Sequence, residues 1–215
     1  MSKLKVALFG ATGKTGRSLI AEALRRGIDV TVFARAGSSF EDSNVRVVRG
    51  ALTDGALLEE AIRGADAVLS ALGPTTLSHR NDLAITRATD AIILAMKQVG
   101  VKRLIAVSTG TAVDPEDGRD WKIWLPALLI RFAMRSVYAD IVGTATTIRA
   151  SELDWTMVRV ALLKDRPASG RLNVGLYGIT RHSLAIPRED VAKFMLDQIG
   201  SRDFVNKAPG LSSAW

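Results

Sequence analysis

Cysteine is absent from this chain of 215 residues. That excludes disulfides, thiolate metal sites and a cysteine nucleophile. It suits a reducing compartment, so the cytoplasm is the expected location. Histidine is nearly as scarce: His79 and His182 are the only two, and their separation matches no metal-ligand spacing. Apolar residues make up 47% of the chain, yet no run of them is long enough to span a bilayer, so no transmembrane segment is expected. A signal peptide is not expected either, because Lys3 and Lys5 lead straight into a short apolar run. Net charge is +7, but the basic residues are scattered. There is no Lys/Arg block and no aromatic–basic alternation of an RNA-binding surface, so nucleic acid is not an expected partner. An anionic small molecule, such as a phosphorylated cofactor, satisfies the same charge.

The chain does carry a glycine turn near its start. Residues 6–17 read VALFGATGKTGR, an apolar run followed by Gly10, Gly13 and Gly16 and then by a helix-compatible segment. Strand, glycine turn and helix in that order suit a dinucleotide. Gly10 permits the tight turn, Gly13 lets the backbone approach a pyrophosphate, and Gly16 lets the helix pack on its strand. The free amides and positive end of that helix then face the phosphates. Thr12, Lys14 and Thr15 complete the loop. The spacing is G-x-x-G-x-x-G. It is not a P-loop, which would need a glycine where Leu8 stands.

Apolar strand-like runs at 5–9, 29–34, 45–49, 67–70, 104–107 and 156–160 alternate with helical patterns at 15–26, 55–62, 82–99 and 139–151. Continuous apolar strands joined by helices imply a parallel sheet covered on both faces. The expected fold is α/β, a Rossmann-like doubly wound sheet. One domain spans 1–215, with a small C-terminal region on the substrate side. Thr53 or Asp54 suits a helix cap and Gly100 a helix stop. Residues 166–170 read as a loop, 172–177 and 183–186 as short strands, and Pro187 as a helix start. Residues 207–215 read as a loosely held end.

Ligands in such sheets sit at the carboxyl ends of strands. Arg35 ends the second strand, 19 residues after Gly16, where such a unit meets the adenosine ribose. A carboxylate there would hold a 2′-hydroxyl and repel a 2′-phosphate, whereas a guanidinium attracts one. Arg35 therefore favours NADP, with Lys14 as a second cation. Ala51 and Leu52 are expected to flank adenine, and Ala71, Leu72 and Gly73 to let the cofactor backbone pass. Ser108 and Thr109 place hydroxyls near the nicotinamide.

Across nearly its whole length the chain resembles an atypical short-chain dehydrogenase/reductase of the NmrA-like branch, similar to the biliverdin-IX beta reductase/flavin reductase group. The resemblance rests on GATGKTG at 10–16, VTVFAR at 30–35, DAVLSALG at 66–73, AMKQVGVKRLIAVST at 95–109, SELDWTMVR at 151–159 and PREDVAKFML at 187–196. It implies NADPH binding and hydride transfer to a small-molecule acceptor that is planar and conjugated: a flavin (FMN or FAD as substrate), a quinone or a tetrapyrrole. The Tyr-x-x-x-Lys pair of the wider superfamily is missing. Tyr138 is followed by Val142, and Thr146 stands where this branch often has lysine. Without a neighbouring cation a tyrosine is a poor acid or base at neutral pH. Ser108 and Thr109 then orient or polarise, and solvent supplies the proton. The competing expectation is a redox-sensing regulator that binds the nucleotide without turnover.

Residues 121–135, WKIWLPALLIRFAMR, form a second unusual segment. A lid over the acceptor, or an oligomer or partner interface, is the first expectation. A buried core helix is second and a membrane-surface helix third. Asp114, Glu116, Asp117 and Asp120 read as a hydrophilic loop without ligand periodicity. Glu189 and Asp190 suit the start of the last helix, with no catalytic role.

Overall fold

A computed structural model describes residues 3–73 and 82–214; His79 and Pro74 lie outside them. The expected alternation opens the chain as β1 (Lys5–Phe9), α1 (Lys14–Arg25), β2 (Asp29–Arg35), β3 (Arg46–Gly50), α2 (Gly55–Ile62), β4 (Ala67–Ser70), α3 (Ala84–Val99) and β5 (Arg103–Thr109). Two helices follow in succession, α4 (Trp121–Ala133) and α5 (Arg135–Arg149), the latter starting ahead of the expected residue 139. The remainder is β6 (Asp154–Val160), β7 (Leu162–Lys164), β8 (Leu172–Gly175), β9 (Ala185–Pro187), α6 (Arg188–Asp197) and β10 (Gly210–Ser213).

Eight strands make one sheet in the order β3-β2-β1-β4-β5-β6-β10-β8. Every neighbouring pair is parallel except β10 with β8. The order reverses between β1 and β4, which opens a crevice at their carboxyl ends. Successive residues of β1 feed opposite faces of the sheet. Val6 and Leu8 pack with Leu19 of α1 and Met195 of α6. Ala7 and Phe9 pack with Leu58 of α2 and Met96 of α3. Asp54 caps α2, its carboxylate accepting from the Leu57 amide at 3.3 Å.

The start of α3 lacks a local cap, and Leu83 before it takes a left-handed conformation at φ 47°. The carboxylate that serves it comes from α5. Buried Asp140 accepts the amides of Ile85 (3.1 Å) and Thr86 (2.8 Å) and the Thr86 hydroxyl (2.7 Å). Two orphan helix donors are thereby satisfied from another helix, which fixes α3 against α5.

Two expectations need correction. Over its described residues, 207–214, the expected loose end at 207–215 is not loose but held: β10 sits inside the sheet, parallel to β6 and antiparallel to β8, with Ala208 and Leu211 buried. The Lys207 and Pro209 carbonyls accept from the Met157 and Arg159 amides. The segment is rich in Gly, Ser and Pro, which disfavour strands, and tertiary pairing overrides that preference. Nor is residues 121–135 a core helix, because no residue of α4 is buried.

Candidate active site

Ten of the expected cofactor residues come together around one cavity of about 730 Å³: Gly10, Thr12, Gly13, Lys14, Thr15, Arg35, Leu52, Ala71, Leu72 and Gly73 all line it. Gly10 has a φ of 85°, and a Cβ there would stand 2.6 Å from the Ala71 carbonyl oxygen, so the β1 turn closes directly on the end of β4. Gly13 has an ordinary φ of −75°, with no side chain capping the first turn of α1. The amides of that turn are thus left for a ligand, and the helix dipole favours an anion. Arg35 stands at the carboxyl end of β2, exposed and without a carboxylate partner among the described residues. The loop behind it is pinned by Arg49, whose guanidinium donates to the Ser38 (3.0 Å) and Phe40 (2.5 Å) carbonyls. This amide cradle and its cations suit the phosphates of a dinucleotide.

Four expected residues do not line that cavity. Gly16 is buried beneath it, where a Cβ would come within 2.7 Å of the Ala11 Cα. Its part is helix-on-strand packing. Ala51 is exposed beside Leu52. Ser108 and Thr109 end β5 half-buried, line neither cavity described here, and immediately precede Gly110, which lines the second. The Thr109 hydroxyl accepts from the Thr111 amide at 3.2 Å.

Two cations at the cavity share one anion. Lys14 contacts Asp165 at 2.6 Å, and Arg188 at the start of α6 pairs with the same carboxylate. Lys14 foremost, then Arg188, hold the Asp165 carboxyl below its usual range. Arg188 carried no signal in the sequence, because its approach depends on how α6 packs. The neighbouring Asp190 is buried and holds the 166–170 loop, accepting from the Ser169 (2.8 Å) and Gly170 (3.0 Å) amides.

A second cavity of about 510 Å³ opens after β5, with Trp121, Trp124, Ile123 and Tyr177 among its walls. Beneath it lies a polar knot that the sequence did not announce. Arg159 on β6 is fully buried and forms a two-pronged pair with Asp117, one arm at 2.7 Å. Its Nε donates to the Ala208 carbonyl at 2.7 Å, and its guanidinium lies 4.9 Å from the centre of the Tyr177 ring. The Tyr177 hydroxyl donates to the Arg159 carbonyl at 2.9 Å, and burial pushes its pKa well above the phenolic range. Asp117 is thus no member of a solvated acidic loop; it is the counter-ion that anchors the loop after β5. Among the described residues no cluster could hold a metal ion.

His182 completes the knot, its ring 4.9 Å from that of Tyr177. The Gly175 carbonyl can only accept, so Nε2 carries the proton. Nδ1 then accepts from the Ser212 hydroxyl, which itself accepts from the Ser183 amide. Burial lowers the His182 pKa, so the folded chain keeps the ring neutral where the unfolded chain has begun to protonate it. Below the unfolded value of about 6.5 the unfolded state therefore binds more protons, and stability falls as pH falls. Urea midpoints should drop from pH 7 towards pH 5. His182→Gln should flatten that part of the profile, and an equally steep slope in the variant would remove His182 as its source.

Residues 10–202 match the model of an NAD(P)H-binding family, and the chain belongs to that family. Among curated proteins it is similar to the isoflavone reductase homolog IRL of Zea mays, 32% identical over 124 residues. That match covers 52% of this chain and 37% of the relative, so the chain spans well under half of the relative's length. Three solved structures carry the same fold. One is a putative exported protein from Burkholderia pseudomallei (TM-score 0.79, 27% identity, 97% of this chain and 99% of that one). Another is a short-chain dehydrogenase/reductase from Veillonella parvula in complex with NADP (0.78, 18%, 99% and 95%). The third is ChuY, an anaerobilin reductase from Escherichia coli O157:H7 (0.73, 19%, 97% and 97%).

Proposed function

For this member of an NAD(P)H-binding family, we propose an NADPH-dependent reductase that passes a hydride to a flat conjugated acceptor such as a flavin, a quinone or a tetrapyrrole. The observation that carries the reading is the pairing of an amide-lined cavity ending in Arg35 with an aromatic-walled cavity after the neighbouring β5. The nicotinamide supplies the hydride when bound. The α1 amides and Lys14 hold the pyrophosphate, Arg35 takes the 2′-phosphate, and Leu52 lies against the adenine. Trp121, Trp124 and Tyr177 offer faces on which a planar acceptor stacks. Positioning supplies most of the rate, because two rings held at reacting distance need little further chemistry from the protein. Tyr138 lines neither cavity and sits instead with Arg131 and Arg135, which supports protonation by solvent. Ser108 and Thr109 line neither cavity, so their part is to hold the end of β5, and Gly110 beyond it, beside the acceptor cavity.

Consumption of NADPH with FMN, a quinone or biliverdin tests this reading. Tight NADPH binding with no turnover on any of the three would favour the sensing regulator, to which the missing Tyr–Lys pair also points. Arg35→Glu tests the cofactor choice. A lost charge-assisted contact and a new repulsion should shift the ratio of NADPH to NADH affinity by about 100-fold. An unchanged ratio would exclude Arg35 from phosphate binding.

A further inference from the structure

We propose that α4 docks this protein onto an anionic phospholipid surface. The helix has no buried residue. Trp121, Leu125, Leu129 and Phe132 fall at i, i+4, i+8 and i+11, which a 3.6-residue repeat stacks into one exposed stripe. Trp121 is 70% exposed, Phe132 65% and Leu129 61%. The second cavity does not account for this stripe. A ligand there reaches Trp121 and Trp124, but Leu125, Leu129 and Phe132 are not among its walls.

Charge decides among the possible occupants. Lys122 flanks the stripe on one side and Arg131 on the other, and Arg135 follows at the junction with α5. No carboxylate lies between residues 121 and 139, and none pairs with these three cations among the described residues. A second copy packed helix to helix would set these cations against their own images. An anionic bilayer satisfies both features at once. Its acyl boundary takes the apolar stripe, its headgroups meet the flanking cations, and tryptophans sit at the interface between them. Arg131, Arg135 and Tyr138 surround a shallow recess of about 320 Å³, with the Arg131 guanidinium 5.9 Å from the Tyr138 ring centre. That recess suits a lipid phosphate. The docking stands independently of the redox reading.

Sedimentation of the whole protein with phosphatidylcholine vesicles, with and without phosphatidylglycerol, tests it. The wild type should pellet with the anionic vesicles only, with a blue shift of its tryptophan emission. Leu125→Ser/Phe132→Ser keeps every charge and should weaken partitioning by about tenfold or more. Arg131→Gln/Arg135→Gln should weaken it by about 30-fold. These side chains are exposed, and unaltered melting curves will verify that both variants fold. Three outcomes overturn the proposal: a wild type left in the supernatant, a serine variant that pellets as the wild type does through bulk charge alone, or a wild-type dimer that the serine variant dissociates.

Discussion

Arg159→Met is expected to destabilise the fold by about 3–5 kcal/mol, the cost of breaking a buried pair from one side. Arg159 is 0% exposed and the Asp117 side chain only 9%, so replacing Arg159 leaves a largely buried carboxylate without its cation. The Ala208 carbonyl loses its donor at the same time, and with it goes part of what holds β10 in the sheet. Removing both charges in Arg159→Met/Asp117→Leu should recover some of the loss, since no lone charge remains buried. Recovery should be incomplete, because Asp117 also accepts from the Asp114 (2.9 Å) and Tyr177 (3.1 Å) amides. Urea unfolding of the two variants measures both effects. A wild-type midpoint in Arg159→Met would mean that the pair is not the anchor described. Arg159→Lys keeps the charge but not the two-pronged geometry, and should fall between wild type and methionine. In a variant that stays folded, the loop after β5 frames the second cavity while the glycine turn is untouched. Acceptor KM should therefore rise with little change in NADPH affinity.

Gly13→Val should leave the fold intact and weaken NADPH binding by at least about 100-fold. Gly13 has an ordinary φ, and a Cβ there meets only the Gly10 carbonyl oxygen at 3.4 Å, so the chain tolerates a side chain. The ligand does not, because branched methyls would occupy the wall where the pyrophosphate must approach the amides. Losing one or two charge-assisted contacts of about 1.5–3 kcal/mol each gives that factor. Calorimetric titration alongside a melting curve separates binding from folding. A variant that binds NADPH as tightly as the wild type would remove residues 10–16 from the cofactor site. Gly10→Ala provides the contrast. Its φ of 85° and the 2.6 Å approach to Ala71 predict a folding defect rather than a clean loss of binding.

Much of the site was legible in advance because it is made by local chain geometry. A glycine turn between a strand and a helix presents amides wherever it occurs, and Arg35 is positioned by the length of one β-α-β step. Leu52, Leu72 and Gly73 followed from the rule that strand ends face the crevice. Arg188 and Asp165 were not legible, because their approach to Lys14 depends on α6 and β7 packing from the far end of the chain. Ser108 and Thr109 were expected just after the fifth strand; they are its last two residues and line neither of the two cavities.

Periodicity and glycine spacing alone determined the strands, the helices that cover them and the anion-facing turn, since each is written within one β-α-β step of about 30 residues. Tertiary packing decided the rest. Asp140 serves as the cap of α3, a segment poor in strand formers is drafted into the sheet, and Arg159, Asp117 and the Tyr177–His182 loop are gathered from three separate segments. A buried charge is tolerable only where its hydrogen bonds are met, and whether a counter-ion (Asp117 for Arg159) or a set of amides (for Asp140) meets them is a property of the folded chain rather than of any stretch of it.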